Sequence, residues 1–183
     1  IRKVCTKYDM PLFIDGARLG YALTATGNDV TLEDIARIAD VFYIGGTKVG
    51  AMFGEAVVFT HGNMPKNFVT LVKQHGALLA KGWLLGVQFD TLFTDNLYCR
   101  IARRANDAAD RIREVLVERG YTLTFDAPTN QIFITLDNET SERLQRSVRL
   151  GFMEKADDTH TVMRICTSWA TTDKQVEQLI ALL

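Results

Sequence analysis

PLFID (residues 11–15) and DVFYIGG (40–46) decide the fold class of this chain. Each is a short apolar run closed by turn-forming residues, and neither alternates polar with apolar positions. Between them lies TLEDIARIAD (31–40), with Leu32, Ile35, Ile38 and Ala39 at helical spacing and Thr31 standing as N-cap three residues ahead of Asp34. Strand, helix and strand with unbroken apolar strands predict a parallel sheet covered on both faces, so the fold class is α/β. GEAVVFT (54–60) is a third strand. Too few residues precede it to hold a crossover helix, so it is expected to pair antiparallel or to sit elsewhere in the sheet.

Further along, Gly76, Gly82 and Gly86 interrupt an otherwise helical region. One or two short helices are expected there, feeding a long one over about 89–118 that Gly120 stops. Beyond it the pattern becomes short and mixed: YTLTF, NQIFITL, TSERLQRSVRL, GFMEKAD, TVMRICTSW and TTDKQVEQLIALL read as a small α+β domain. The expected organisation is therefore residues 1–88 as part of a large domain, 89–119 as a connecting helix and 120–183 as a small C-terminal domain. KQHGALLAKGWLLGVQF (73–89) is apolar with small residues and reads as a core helix with its lysines reaching out to solvent, unless a family resemblance places it at a subunit contact and active-site rim.

The 183 residues are enough for one domain or two small ones, and a chain of this size buries about 70% of its unfolded surface. With 21 basic against 22 acidic side chains and a net charge of -1, nothing draws it to nucleic acid or to an anionic membrane. A small molecule or a second copy is the expected partner. Cys5, Cys99 and Cys166 are odd in number and far apart, which points to a reduced compartment, the cytoplasm by default. His61, His75 and His160 lack metal-ligand spacing, so no metal site is expected. No apolar run approaches the roughly 20 residues of a membrane helix, and no signal sequence opens the chain, which reads as soluble. IRKVCTKYDM (1–10) has the look of the tail of a helix, so the chain is expected to be part of a longer protein.

Ligands of open α/β sheets bind beyond the carboxyl ends of the strands. Asp15, after LFI, and Lys48, after VFYIGGT, occupy two such ends on successive strands. Singly, an Asp-Gly pair is a turn former and a lysine after glycines is a solvated loop residue. Together they match the needs of a pyridinium cofactor: an amine that attacks a carbonyl, and an anion that keeps the ring nitrogen protonated. GGTKVG is not a nucleotide-binding P-loop, because Thr47 precedes Lys48, Val49 follows it, and Tyr43 stands where the first glycine belongs. GARLG lacks the dinucleotide fingerprint. Arg164 interrupts the apolar strand TVMRICTSW, where its planar guanidinium suits either a bound carboxylate or an ion pair to a nearby helix. Arg18 reads as a second such group or as a surface residue at a helix start.

LFIDGARLGYAL, DIARIADVFYIGGTKVGAMFGEAVVF and RICTSWATT together resemble the threonine aldolase group of the β-eliminating lyases, within the aspartate-aminotransferase-like (fold type I) pyridoxal-phosphate enzymes. The resemblance implies the C-terminal part of a mainly parallel sheet with a small α+β domain, and a homo-oligomer, dimer or tetramer, that binds an amino acid. Residues 1–88 would then belong to the cofactor-binding domain. By the same resemblance Lys48 forms the Schiff base with pyridoxal phosphate, Asp15 pairs with the pyridine nitrogen, Thr47 bonds the phosphate, and Arg18 and Arg164 grip the substrate α-carboxylate. The implied reaction cleaves threonine or allo-threonine to glycine and an aldehyde, with β-elimination or racemisation as alternatives, and a non-catalytic α/β module as the rival from another class. The family's ring-stacking residue and its Gly/Thr-rich phosphate loop lie upstream of Ile1, so His61 and His75 are not assigned to stacking, and the chain alone is expected to be inactive and to bind the cofactor weakly. Glu55 stands where the family commonly has a small residue, so the loop after Lys48 is expected to differ in shape.

Overall fold

Thr31 builds the expected cap. Its hydroxyl accepts the Asp34 amide at 3.2 Å while the Asp34 carboxylate accepts the Thr31 amide at 2.8 Å, and this capping box opens α3 (Leu32–Ile38). The computed structural model describes residues 1–183 and divides into two units, residues 1–23 with 28–99 and residues 24–27 with 100–183. In the first unit α1 (Arg2–Lys7), β1 (Phe13–Ile14) and α2 (Leu19–Leu23) precede α3, and β2 (Val41–Gly45), β3 (Glu55–Phe59), α4 (Phe68–Gln74) and α5 (Trp83–Phe93) follow it.

β1 and β2 are parallel, with Phe13 opposite Val41, and β3 runs antiparallel to β2, with Tyr43 opposite Val57 and Gly45 opposite Glu55. The third strand thus pairs as its short connection requires. β2 packs against α2 and α3, and its alternate residues Phe42 and Ile44 are buried. The other alternation, Phe13, Tyr43 and Val57, is not covered within this unit: Phe13 is 59% exposed and Val57 53%. The expectation of cover on both faces is therefore met on one face only.

Asp40, between α3 and β2, ties three segments together. One carboxylate oxygen accepts the Leu12 amide at 2.7 Å and the Arg2 guanidinium at 2.5 Å, and the neighbouring carbonyl of Ala39 accepts the Thr60 hydroxyl. The Leu12 amide first, then Arg2, holds the Asp40 carboxyl below its ordinary range.

Residues 73–89 do not form a core helix. α4 buries no residue and α5 only Leu92, while Leu78, Leu79 and Trp83 face solvent. The single helix expected over 89–118 is also divided: α5 ends at Phe93, a 3-10 turn spans Thr94–Asn96, and α6 runs Leu97–Glu118. Asp95 and Asn96 take left-handed φ of 50° and 57°, a conformation that short Asx side chains tolerate, and the Thr94 hydroxyl bonds back to the Asp90 carbonyl at 2.8 Å. At the far end Gly120 (φ 79°) stops α6 as expected, with the Tyr121 amide donating to the Leu116 carbonyl.

The second unit is α+β. Strands β4 (Thr122–Leu123), β5 (Gln131–Asp137), β6 (Gly151–Lys155) and β7 (His160–Cys166) form an antiparallel sheet of order β4-β5-β7-β6, joined by α7 (Asn138–Gln145) and followed by α8 (Asp173–Leu182). Ile132, Ile134 and Leu136 of β5 and Met163 and Ile165 of β7 share one core with Ile112 and Leu116 of α6, Leu144 and Val176. A capping box at Thr172 and Gln175 opens α8. No helix is long and apolar enough to cross a membrane.

Because its folded carboxyl titrates below the ordinary value of 3.8, Asp40 contributes stability that is present above that value and lost as pH falls through the lowered one. Asp40→Asn is expected to lower the denaturation midpoint at neutral pH and to flatten its fall on the acid side, measured by urea unfolding across pH.

Candidate functional site

The two strand ends touch through backbone. A Cβ on Gly16 would stand 1.8 Å from the Tyr43 carbonyl oxygen, and one on Gly45 would stand 2.4 Å from the Ala17 carbonyl oxygen. Across this contact the Gly45 amide donates to the Gly16 carbonyl at 2.9 Å. β1 and β2 therefore leave the sheet side by side, and Asp15, Arg18, Thr47 and Lys48 follow at the same end of this parallel pair.

Asp15 accepts two hydrogen bonds on one oxygen, Oδ1: from the Ala17 amide at 3.0 Å and from the Tyr43 hydroxyl. Oδ2 has no partner. The Tyr43 hydroxyl above all, then the Ala17 amide, holds this carboxyl below its ordinary range, and the Lys48 charge acts in the same direction. Reciprocally, the bond to Asp15 pushes Tyr43 up to about 12. The turn-forming and the functional readings of Asp15 thus describe one carboxylate, fixed by an Asx turn on one side and open on the other.

Lys48 lies in the turn after β2. Val49 is fully buried and its amide bonds the Gly46 carbonyl at 2.9 Å, while the Tyr21 hydroxyl donates to the Lys48 carbonyl. With its backbone anchored on both sides, the Lys48 side chain is exposed and its amine makes no hydrogen bond or ion pair. Two further groups hold this turn. Glu55 Oε2 accepts the Gly46 amide at 2.5 Å, which gives the departure noted at Glu55 a structural role. The buried Tyr98 hydroxyl accepts the Gly20 amide at 3.0 Å and donates to the Gly45 carbonyl at 2.9 Å, binding α2 to β2. Burial pushes the Tyr98 pKa up, so this hydroxyl remains a donor. The Thr47 hydroxyl is exposed and is directed to the Gly54 carbonyl at 3.4 Å.

Arg18 is half-buried at the start of α2, and its Nε is buried without a partner. An orphaned guanidinium nitrogen is costly unless an anion fills the site. Arg164, in the second unit, has the same feature. It lies on the face of β7 opposite the core, Nη1 donates to Gln131 Oε1 at 3.2 Å, and Nε is buried and unpartnered. The alternative of an ion pair from Arg164 to a helix is not formed.

The first unit therefore gathers four of the five expected residues, and Arg164 belongs to the second. Tyr21, Tyr43 and Tyr98 were not singled out from the sequence. Tyr43 becomes recognisable only with the register of β1 on β2, which sets it level with Asp15 and on the same face.

The first unit thus carries a carboxylate and a lysine at adjacent strand ends of one sheet, and a small α+β unit follows it in the chain. The beta-eliminating lyase family profile matches residues 1–139, and the chain belongs to that family. It is 29% identical over 146 residues to a low specificity L-threonine aldolase of Pseudomonas aeruginosa, covering 79% of this chain and 42% of that protein. With a low specificity L-threonine aldolase of a Pseudomonas species it shares 27% over 182 residues, 99% of this chain and 52% of the other. A solved threonine aldolase of Leishmania major superposes with a TM-score of 0.94 at 40% identity, over 99% of this chain and 53% of that one. A serine palmitoyltransferase of Sphingomonas wittichii, at 17% identity and a TM-score of 0.67, shares the fold. The chain spans about half the length of these relatives.

Gly16→Ala forces apart a backbone contact that cannot yield by a side-chain rotation, and is expected to cost the first unit about 3 kcal/mol, read by urea unfolding. Gly86→Ala in α5, where an added Cβ meets nothing within 4 Å, is expected instead to stabilise by about 0.5–1 kcal/mol.

Proposed function

We propose that the protein is a pyridoxal-phosphate-dependent lyase of threonine aldolase type, which cleaves the Cα–Cβ bond of a β-hydroxy-α-amino acid such as threonine or allo-threonine to glycine and an aldehyde. The observation that carries this reading is the pairing, at neighbouring strand ends of one unit, of an anionic Asp15 with an unpartnered Lys48 amine. The 40% identity to the Leishmania major threonine aldolase favours the aldolase over other reactions.

The donor set fits the cofactor. Asp15 Oδ2 is open to accept a pyridine N–H, the Lys48 amine is free to hold the cofactor's carbonyl carbon, and buried, unfilled nitrogens at Arg18 and Arg164 suit a carboxylate. When bound, pyridoxal phosphate supplies an electron sink for the pair left on Cα as a bond to it breaks. Asp15 keeps the proton on the ring nitrogen that makes such a sink effective. Arg18 and Arg164 hold the α-carboxylate and so fix which Cα bond is presented for cleavage. A base takes the β-hydroxyl proton as the aldehyde forms. We assign Thr47 to the cofactor phosphate, the enzyme to a homo-oligomer, and its location to the cytoplasm, in keeping with three free cysteines.

The family's name supports one second reading, β-elimination, in which the Lys48 amine takes the proton from Cα instead. Product analysis of the full-length protein separates the two: glycine with an aldehyde is expected, and pyruvate with ammonia alone would overturn the aldolase reading. Borohydride reduction followed by peptide mass spectrometry is expected to leave a cofactor adduct on Lys48, lost in Lys48→Ala. Arg164→Lys, which keeps charge and loses the planar fork, is expected to raise KM for the amino acid about tenfold or more while cofactor loading persists.

A further inference from the structure

We propose that Tyr43 is the positioning residue of this site: its hydroxyl locks Asp15 so that one carboxylate oxygen, Oδ2, is presented to a protonated pyridine nitrogen. The inference rests on the assignment of Asp15 made above and adds a residue that neither the motifs nor the family comparison marks.

The geometry is directional. Oδ1 takes two donors, the Tyr43 hydroxyl and the Ala17 amide at 3.0 Å, and Oδ2 takes none. A carboxylate on a terminal sp2 torsion otherwise turns freely and offers either oxygen. Two donors on one oxygen remove that freedom. The Ala17 bond comes from the chain two residues on and would form in any Asp-Gly-Ala turn. The Tyr43 bond comes from the neighbouring strand and ties the carboxylate to the sheet.

Strand pairing explains why residue 43 is the one that reaches. Phe13 pairs with Val41 and Ile14 with Phe42, so residue 15 continues level with residue 43 and on the same face. The Tyr43 ring is flanked on the open face of the sheet by the Phe13 ring, its centroid 6.1 Å away, and pairs with Val57 on β3. The charged groups acting on this pair are Lys48, which favours the carboxylate, and Glu55, which disfavours a phenolate. Both influences keep the hydroxyl a donor and the carboxyl an acceptor. Tyr43 acts through Asp15 and has no step of its own.

The test uses the full-length protein loaded with pyridoxal phosphate carrying 15N at the ring nitrogen, and compares Tyr43→Phe, Asp15→Asn and the double variant. Tyr43→Phe removes one oxygen and keeps the ring. It is expected to lower kcat about tenfold, the scale of one hydrogen bond to a charged group, and to move the ring 15N resonance toward the unprotonated position. KM for threonine is expected to change by less than about twofold, because no substrate contact is lost. In the Asp15→Asn background the same change is expected to add nothing further. A Tyr43→Phe protein with wild-type resonance and kcat, beside an Asp15→Asn protein whose resonance moves, overturns the role of Tyr43 alone. Equal losses from Tyr43→Phe with and without Asp15 also overturn it, since they mark a packing role. An Asp15→Asn resonance that stays in place overturns the assignment of Asp15 and this inference with it.

Discussion

The site depends on a backbone contact: the chain leaving β1 lies directly against the chain leaving β2, so closely that the tool of ordinary side-chain packing is absent. Gly16 and Gly45 each face the other strand's carbonyls at distances no Cβ could occupy, and the Gly45 amide bonds the Gly16 carbonyl. Consecutive ends of a parallel pair are thereby held in one register. The side chains carried just beyond them, Asp15 and Arg18 on one end and Thr47 and Lys48 on the other, inherit that register without any direct bond between the two groups. Preorganisation of this kind comes from the scaffold and precedes any ligand.

Around this contact the polar groups are arranged to leave selected atoms unpaired. Glu55 satisfies the Gly46 amide, Tyr98 satisfies both Gly20 and Gly45, and Tyr21 satisfies the Lys48 carbonyl. What remains open is Asp15 Oδ2, the Lys48 amine and Arg18 Nε. A native structure normally pairs its buried polar side-chain atoms, and the Nε atoms of Arg18 and Arg164 are buried without a partner, as is Asn130 Oδ1.

Local signals made most of the fold legible in the sequence. The capping box of α3, the strand pair around it, the antiparallel β3 and the glycine stop of α6 each rest on a few neighbouring residues, and each is found in place. Failures came where neighbours mislead. Phe89 to Glu118 has an unbroken helical pattern, yet Asp95 and Asn96 turn the chain through left-handed φ, a choice that periodicity does not record. The apolar stretch 73–89 has two readings, a core helix or a surface near a subunit contact, because hydrophobicity alone does not say what covers it. In this unit nothing does. The same holds for the open face of the sheet at Phe13 and Val57.

Legibility of the site follows the same division. Asp15 and Lys48 announce themselves by type and by place at strand ends. Tyr43 does not, because an aromatic residue in an apolar strand reads as packing. Its function as a donor appears only when the register of β1 on β2 is known, since a shift of one residue would carry its hydroxyl to the covered face beside Phe42 and Ile44. Register is therefore the quantity that converts a strand residue into part of a site. In this chain the pairing of Phe13 with Val41 and Ile14 with Phe42 is continued by the Gly45 amide bond to the Gly16 carbonyl, so the register that brings the Tyr43 hydroxyl to the carboxylate extends to the site itself. The fold and the electrostatics of Asp15 are in this sense one constraint: any change that loosens the glycine contact releases the Asp15 carboxylate from Tyr43, even with every ionisable group left in place.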